Sequence, residues 1–164
     1  MKTENSSCVF CEERYGRERM IYADQHFISL LCFYAVSPGH TLIIPRRHVA
    51  SLSELSDLEW NALKPALEGS IAAIESYPLA DFYRRWEASP FDSQSQKFCL
   101  EALSHPALGR RPDAYNHGVN QGAAAGQTIS HLHWHLIPRY LGDVPDPVGG
   151  VRHIIPGMGN YKAQ

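Results

Sequence analysis

The stretch His131-Leu132-His133-Trp134-His135-Leu136-Ile137 decides how the rest of the chain is read. Three histidines at every second position fit an extended strand, on which successive side chains point to opposite faces. His131, His133 and His135 then line one face, and Leu132, Trp134 and Leu136 the other. On a helix, steps of two would set His133 nearly opposite its neighbours and scatter the imidazoles. The β-branched Thr128 and Ile129 lead into the strand, and Pro138 is expected to stop its ladder after Ile137. One face is therefore chemical and the other belongs to a core.

Just upstream, Gln121-Gly122-Ala123-Ala124-Ala125-Gly126-Gln127-Thr128 is a loop of small residues running into this strand. Small residues let backbone N–H groups approach a ligand, and Gln127 and Thr128 add side-chain donors. A phosphate cradle is one reading and a plain glycine hairpin the other; the G-K-[ST] ending of a P-loop is missing. Tyr115 to Asn120 reads as a strand returning to the same sheet.

Further out, Met20 to Ala23 and His26 to Phe33 read as strands separated by an Asp24-Gln25 turn. Thr41 to Ile44 is another, entered through Ser37-Pro38-Gly39 and ended by Pro45, so the N-terminal half is an antiparallel meander. His40 and His48 flank that third strand, each either a hydrogen-bonded surface histidine or a functional one. Arg46-Arg47 is a solvated rim or the rim of a phosphate site. Ser56-Asp57-Leu58-Glu59 is a capping box, and Trp60, Leu63, Leu67, Ile71 and Ile74 recur at helical spacing towards Tyr77-Pro78. Pro65 is expected to kink that helix, at a cost of about 3 kcal/mol. Residues 81–114 read as an elaborated connection with a short helix around Lys97 to Leu103, either a lid or structure without a clear pattern. Residues 141–164 form a Gly/Pro-rich tail laid across a surface, its own or another subunit's.

The 164 residues suit one domain with a sizeable core, and 44% hydrophobic with 20% charged residues is a globular balance. No long apolar run and no basic N-terminus followed by an apolar stretch is present, so neither a membrane partner nor a signal peptide is expected. A formal net charge of -2 argues against a nucleic-acid partner and confines anion binding to a local site. Cys8 and Cys11 form a C-x-x-C, while Cys32 and Cys99 stand alone in apolar surroundings, which points to a reducing cytoplasm. The pair is a zinc half-site, a redox pair or two incidental thiols. A redox motif needs a strand before it, which a position so near the start of this sequence does not supply, and zinc needs two further ligands.

The histidine stretch resembles the H-φ-H-φ-H-φ-φ signature of the histidine triad (HIT) superfamily. The likeness extends to Ser37-Pro38-Gly39-His40-Thr41-Leu42-Ile43-Ile44-Pro45-Arg46-Arg47-His48, to Asn120-Gln121-Gly122 and to Gly126-Gln127-Thr128. It covers most of the chain outside residues 81–114, and a segment of that length departs from the usual link between helix and strand. The resemblance implies an α+β fold, an antiparallel half-barrel sheet with flanking helices, usually in a homodimer that binds a purine nucleotide. It implies that His133 attacks the α-phosphorus to form a nucleotidyl-histidine, with His135 and His40 supporting phosphate and leaving group. Asn120, Gln127 and Thr128 would bind the ribose-phosphate region. In branches with an N-terminal C-x-x-C, which resemble galactose-phosphate uridylyltransferase, the same likeness implies a structural zinc on Cys8, Cys11, His48 and His131. Arg139 and the tail would suit a nucleotide polyphosphate.

The chemistry agrees with those roles. A neutral imidazole is the nucleophile, and a reference pKa of about 6.5 leaves it mostly neutral at cell pH. Neighbouring imidazoles and loop amides can stabilise the phosphate as charge redistributes, so the chemical step requires no metal. Four activities stay open on the sequence. They are hydrolysis of dinucleoside polyphosphates or adenosine conjugates, nucleotidyl transfer or phosphorolysis, non-catalytic nucleotide binding, and a catalytic zinc on all three histidines.

Overall fold

The computed structural model of the chain describes residues 8–12, 16–156 and 158–162. Its first three strands are β1 (Met20–Ala23), β2 (Phe27–Leu31) and β3 (Thr41–Pro45). Asp24 makes the first turn tight, its Oδ1 accepting the backbone N–H groups of His26 and Phe27. Strand β4 (Ala114–Val119) and strand β5 (Trp134–Arg139) complete an antiparallel sheet ordered β1-β2-β3-β5-β4. With three α-helices among the described residues, this open sheet is the α+β arrangement that the resemblance implies.

Alternation along the strands gives the sheet two unlike faces. On one, Phe27, Ile43 and Leu136 pack against Leu63, Ala66 and Ile74 of helix α1 (Asp57–Ser76). The capping box is present, with Ser56 and Glu59 bonding reciprocally. Pro65 does not interrupt α1, which runs unbroken for 20 residues. Midway, the Ser70 hydroxyl meets that of Ser29 at 2.6 Å. Gly69 permits this approach, since a Cβ there would lie 2.2 Å from the Tyr22 ring.

Residues 81–114, read from the sequence as an elaborated connection with a short helix around Lys97 to Leu103, hold that helix within a longer one and most of a second helix before it, with irregular chain between and after them. Helix α2 (Leu79–Ala88) starts only two residues after α1, and helix α3 (Ser93–Ser104) follows behind an Asp92 capping box. Their inner residues Leu79, Phe82, Tyr83, Cys99 and Ala102 close over Leu31 and Ala35. All three helices therefore cover the same face of the sheet. The opposite face carries Leu30, Leu42 and Ile44 beneath Phe10 and Met20, and is the one on which His135 stands opposite Leu42.

Two expectations about the histidine stretch are corrected. Strand β5 begins at Trp134, so Thr128, Ile129, His131 and His133 precede it. Pairing with β3 is confined to Trp134, His135 and Leu136, although β3 itself runs on beside β2 to Pro45; the Leu132 N–H turns instead to the Val49 carbonyl. Nor does Pro138 stop the ladder, which continues along β4 to Arg139. Beyond Leu136 the β3 side of β5 is unpaired, and a proline without an N–H is tolerated there.

Candidate active site

The turn that carries His40 is held from three directions. The Gly39 N–H donates to the Tyr83 hydroxyl at 2.8 Å, the Ser37 hydroxyl donates to the Pro138 carbonyl, and the Tyr140 hydroxyl donates to the Pro38 carbonyl. Gly39 has φ +85°, a conformation that favours glycine, and a Cβ there would meet Ile74 at 2.9 Å. Tyr83 lies in the stretch without a clear sequence pattern. Its spacing from Leu79, Phe82 and Trp86 is the helical signal that could have found it.

Hydrogen bonds to groups of fixed character decide which nitrogen of each imidazole carries its proton. His133 Nδ1 lies 2.8 Å from the His131 carbonyl, which only accepts, so Nδ1 is protonated and Nε2 keeps a free lone pair. The Val36 N–H only donates, and it reaches His40 Nδ1 at 3.4 Å. His40 Nε2 then carries the proton and donates to His135 Nδ1 at 3.1 Å, leaving the His135 proton on Nε2. One buried ring thus presents a nucleophilic nitrogen, and the next, with its ring centre 5.1 Å away, presents an N–H.

The electrostatics keep this arrangement neutral. Burial, and after it the nearby His135, lowers His40 to about 3. Burial followed by the charge of His133 lowers His135 to about 4. With a single imidazolium disfavoured at either position, the chain of donors and acceptors persists at neutral pH.

His131 faces elsewhere. It is 1% exposed, and its Nε2 donates to the Pro45 carbonyl at 2.9 Å, so its Nδ1 lone pair points at the cysteine thiols. Nδ1 lies 3.6 Å from the sulfurs of both Cys8 and Cys11, and Cys11 Sγ lies 3.2 Å from His48 Nδ1. All four ligand atoms fall within 4.8 Å of one another. A tetrahedral zinc with bonds of about 2.0–2.3 Å would set its ligands roughly 3.3–3.8 Å apart. The donor set, the spacing and the carbonyl behind His131 are thus compatible with Zn2+. Burial and the adjacent Cys8 raise the Cys11 thiol, so two thiolates here would need a cation between them.

The remaining sequence-predicted residues are placed less uniformly. Asn120 lines a cleft of about 580 Å³ together with His40 and His135. Gln127 is occupied in closing its own loop, accepting from the Gly122 N–H and donating to the Ala50 carbonyl, and Thr128 is exposed. Arg47 is bound to Glu59 at the start of α1, and Arg46 donates to the Asp24 carbonyl. Arg139 is not a free cation either: two of its nitrogens bind Asp143 and a third binds Asn116. The tail does fold over its own chain, its Gly150–Ile154 turn lying against β4.

Comparison with known proteins agrees with this geometry. An uncharacterized HIT-like protein of Methanocaldococcus jannaschii is 28% identical over 138 residues, 83% of this chain and 81% of that protein. An AP-4-A phosphorylase of Mycobacterium tuberculosis is 27% identical over 129 residues, 78% of this chain but only 47% of that protein. Among solved structures, a Zn-bound histidine triad family protein from Mycobacterium smegmatis is similar with a TM-score of 0.53 and 25% identity, covering 85% of this chain and 84% of that one. The HIT domain family model matches residues 14–142, most of the sequence and all three triad histidines, and the chain belongs to that family.

Proposed function

We propose that the protein is a nucleotide hydrolase that works through a nucleotidyl-histidine, on dinucleoside polyphosphates or adenosine nucleotide conjugates. The observation that carries the reading is the complementary proton placement, a lone pair on His133 Nε2 beside an N–H on His135 Nε2. His133 Nε2 attacks the α-phosphorus, and a nitrogen–phosphorus bond forms as the bond to the leaving group breaks. The electron pair stays with the departing atom, to which the His135 N–H donates a hydrogen bond. Water then forms a new bond to phosphorus, the pair returns to His133, and the proton that water gives up ends on the departed group. Asn120 and Thr128, with Gln127 once released from the closed loop, would bind the ribose-phosphate region.

Zinc on Cys8, Cys11, His48 and His131 is read as structural, because a closed Cys₂His₂ set leaves no open position for substrate. When bound, it would fix the N-terminal segment and His131, whose carbonyl orients the nucleophile. That division of labour speaks against one catalytic zinc shared by the triad. Four unpaired cysteines support a cytoplasmic setting, and no helix among the described residues is long and apolar enough to cross a membrane. The outer side of the edge strand β4 supports homodimer formation by strand pairing.

Mass spectrometry of the protein after brief exposure to diadenosine tetraphosphate and adenosine conjugates is expected to show an AMP adduct on His133. The His133→Ala variant should show neither adduct nor turnover; full turnover by that variant refutes the assignment. The similarity to AP-4-A phosphorylase favours one second reading, in which inorganic phosphate takes the nucleotide from His133. Product analysis with and without phosphate separates them, since phosphorolysis yields a nucleoside diphosphate.

A further inference from the structure

Tyr83 of α2 is 1% exposed, packed among Leu31, Leu79, Phe82 and Cys99, and a phenol that deep is costly unless its oxygen finds a partner. Its partner lies outside the helix, in the Gly39 N–H at 2.8 Å. Burial keeps the phenol protonated far above the ordinary tyrosine range, so it meets that N–H as a neutral acceptor. Gly39 is buried too, and its N–H, lying before the start of β3 at Thr41, bonds to this side chain instead of joining the ladder. The Gly39 carbonyl accepts from the Thr41 hydroxyl at 2.8 Å, and the His40 N–H closes the turn on the Ser37 carbonyl at 3.0 Å. At 3.4 Å the Val36 N–H only just reaches His40 Nδ1, so a displacement of a few tenths of an ångström would release that nitrogen. Val36, His40 and His135 line the cleft that the Gly150–Ile154 turn walls, whereas Tyr83 does not, so any influence of Tyr83 runs through the turn.

We infer that Tyr83 is a positioning residue for the nucleotidyl transfer: its hydroxyl, through Gly39, holds the turn in the shape that fixes the protons of His40 and His135. The inference rests on the proposed attack by His133 beside an N–H presented by His135. Without the hydroxyl, the Gly39 N–H is left buried and unpaired, a penalty the turn relieves by shifting. Val36 then releases His40 Nδ1, and the His40 proton can sit on either nitrogen. With that proton on Nδ1, His40 Nε2 accepts from His135 Nδ1, and His135 Nε2 turns a lone pair to the leaving group. The two rings exchange protons without a change of charge, so a substrate binds as before but meets an acceptor where a donor is needed.

Tyr83→Phe removes one oxygen from the cluster, and circular dichroism checks its fold. With the 4-nitrophenyl ester of AMP, kcat is expected to fall about tenfold or more while KM stays within about twofold. Two-bond proton–nitrogen correlation spectra at neutral pH read the tautomer of each imidazole. His40 and His135 should show the Nε2-protonated pattern in the wild type and lose it in Tyr83→Phe. His133, set by the His131 carbonyl, should keep its Nδ1 proton in both. Cys99→Ala loosens the same cluster from α3 without removing the hydroxyl, and should lower the urea midpoint with kcat and tautomers unchanged. Wild-type tautomers in Tyr83→Phe overturn the inference whatever happens to kcat, and so does an unchanged kcat. Equal losses of kcat and tautomers in Cys99→Ala overturn it as well, since α2 would then matter only as packing. Each of these leaves the proposed function intact, provided the wild type forms an AMP adduct on His133. Absence of that adduct overturns both readings together.

Discussion

Replacing His40 with Asn tests the electrostatic account of the site most directly. His40 is 4% exposed, and burial followed by the charge of His135 takes it from 6.5 to about 3. The unfolded chain takes up a proton at this residue near pH 6.5, while the native protein does not until far lower pH. The unfolded state therefore binds more protons in that window, and stability is complete above it and lost as pH falls. Between pH 7 and pH 5 this single group should remove about 2 kcal/mol, a figure set almost wholly by the unfolded value. His40→Asn has no such proton to bind. Urea unfolding at both pH values, followed by tryptophan fluorescence, should show the wild type losing about 2 kcal/mol more than the variant. Protonation of the cysteines affects both proteins alike and cancels in the difference. Parallel losses would mean that native His40 accepts a proton easily, and the donor chain from Val36 to His135 would then not be the state at neutral pH.

Two further outcomes follow from packing and from the cysteine cluster. Gly69→Ala would ordinarily stabilise a helix by about 1 kcal/mol, but its Cβ would lie 2.2 Å from the Tyr22 ring. The clash should win and lower stability by about 1–3 kcal/mol in urea titration, whereas a more stable variant would show that α1 sits further from β1. Treating the purified protein with a strong chelator should lower its thermal midpoint by at least about 5 °C and release zinc measurable by a colorimetric dye. A midpoint that does not move would separate the cysteine cluster from the stability of the fold.

What the sequence disclosed, and what it withheld, divides by the range of the interactions concerned. The meander β1 to β3, the capped start of α1 and the strand β4 depend on local alternation, turns and caps, so they were legible. Helix α2 was missed although Leu79, Phe82, Tyr83 and Trp86 carry a helical stripe, because Pro78 leaves almost no linker after α1. Of α3 the sequence showed only the part around Lys97 to Leu103, because its first turn lies in a polar run and its buried side, Ser95, Cys99 and Ala102, is small. The start of β5 depends on where its pairing with β3 and β4 begins, a long-range fact that the pattern of alternating histidines could not show. The tail, lacking any period, gave no sign of the cleft it walls.

The triad shows why side-chain identity alone underdetermines a site. Spacing puts His131, His133 and His135 on one stretch, but their separate roles are assigned by backbone groups that no residue letter records. The Pro45 carbonyl turns the His131 lone pair toward the cysteines, the His131 carbonyl frees His133 Nε2, and the Val36 N–H sets the proton on His135 through His40. Each of these backbone groups comes from a strand end or an adjoining turn, where ladder pairing has ceased and a carbonyl or N–H is left for a side chain. The proline at the end of β3 thus also supplies the carbonyl that orients His131. A change that lengthened β3 by one residue pair would disturb the cysteine cluster and the nucleophile together, although it touched no histidine.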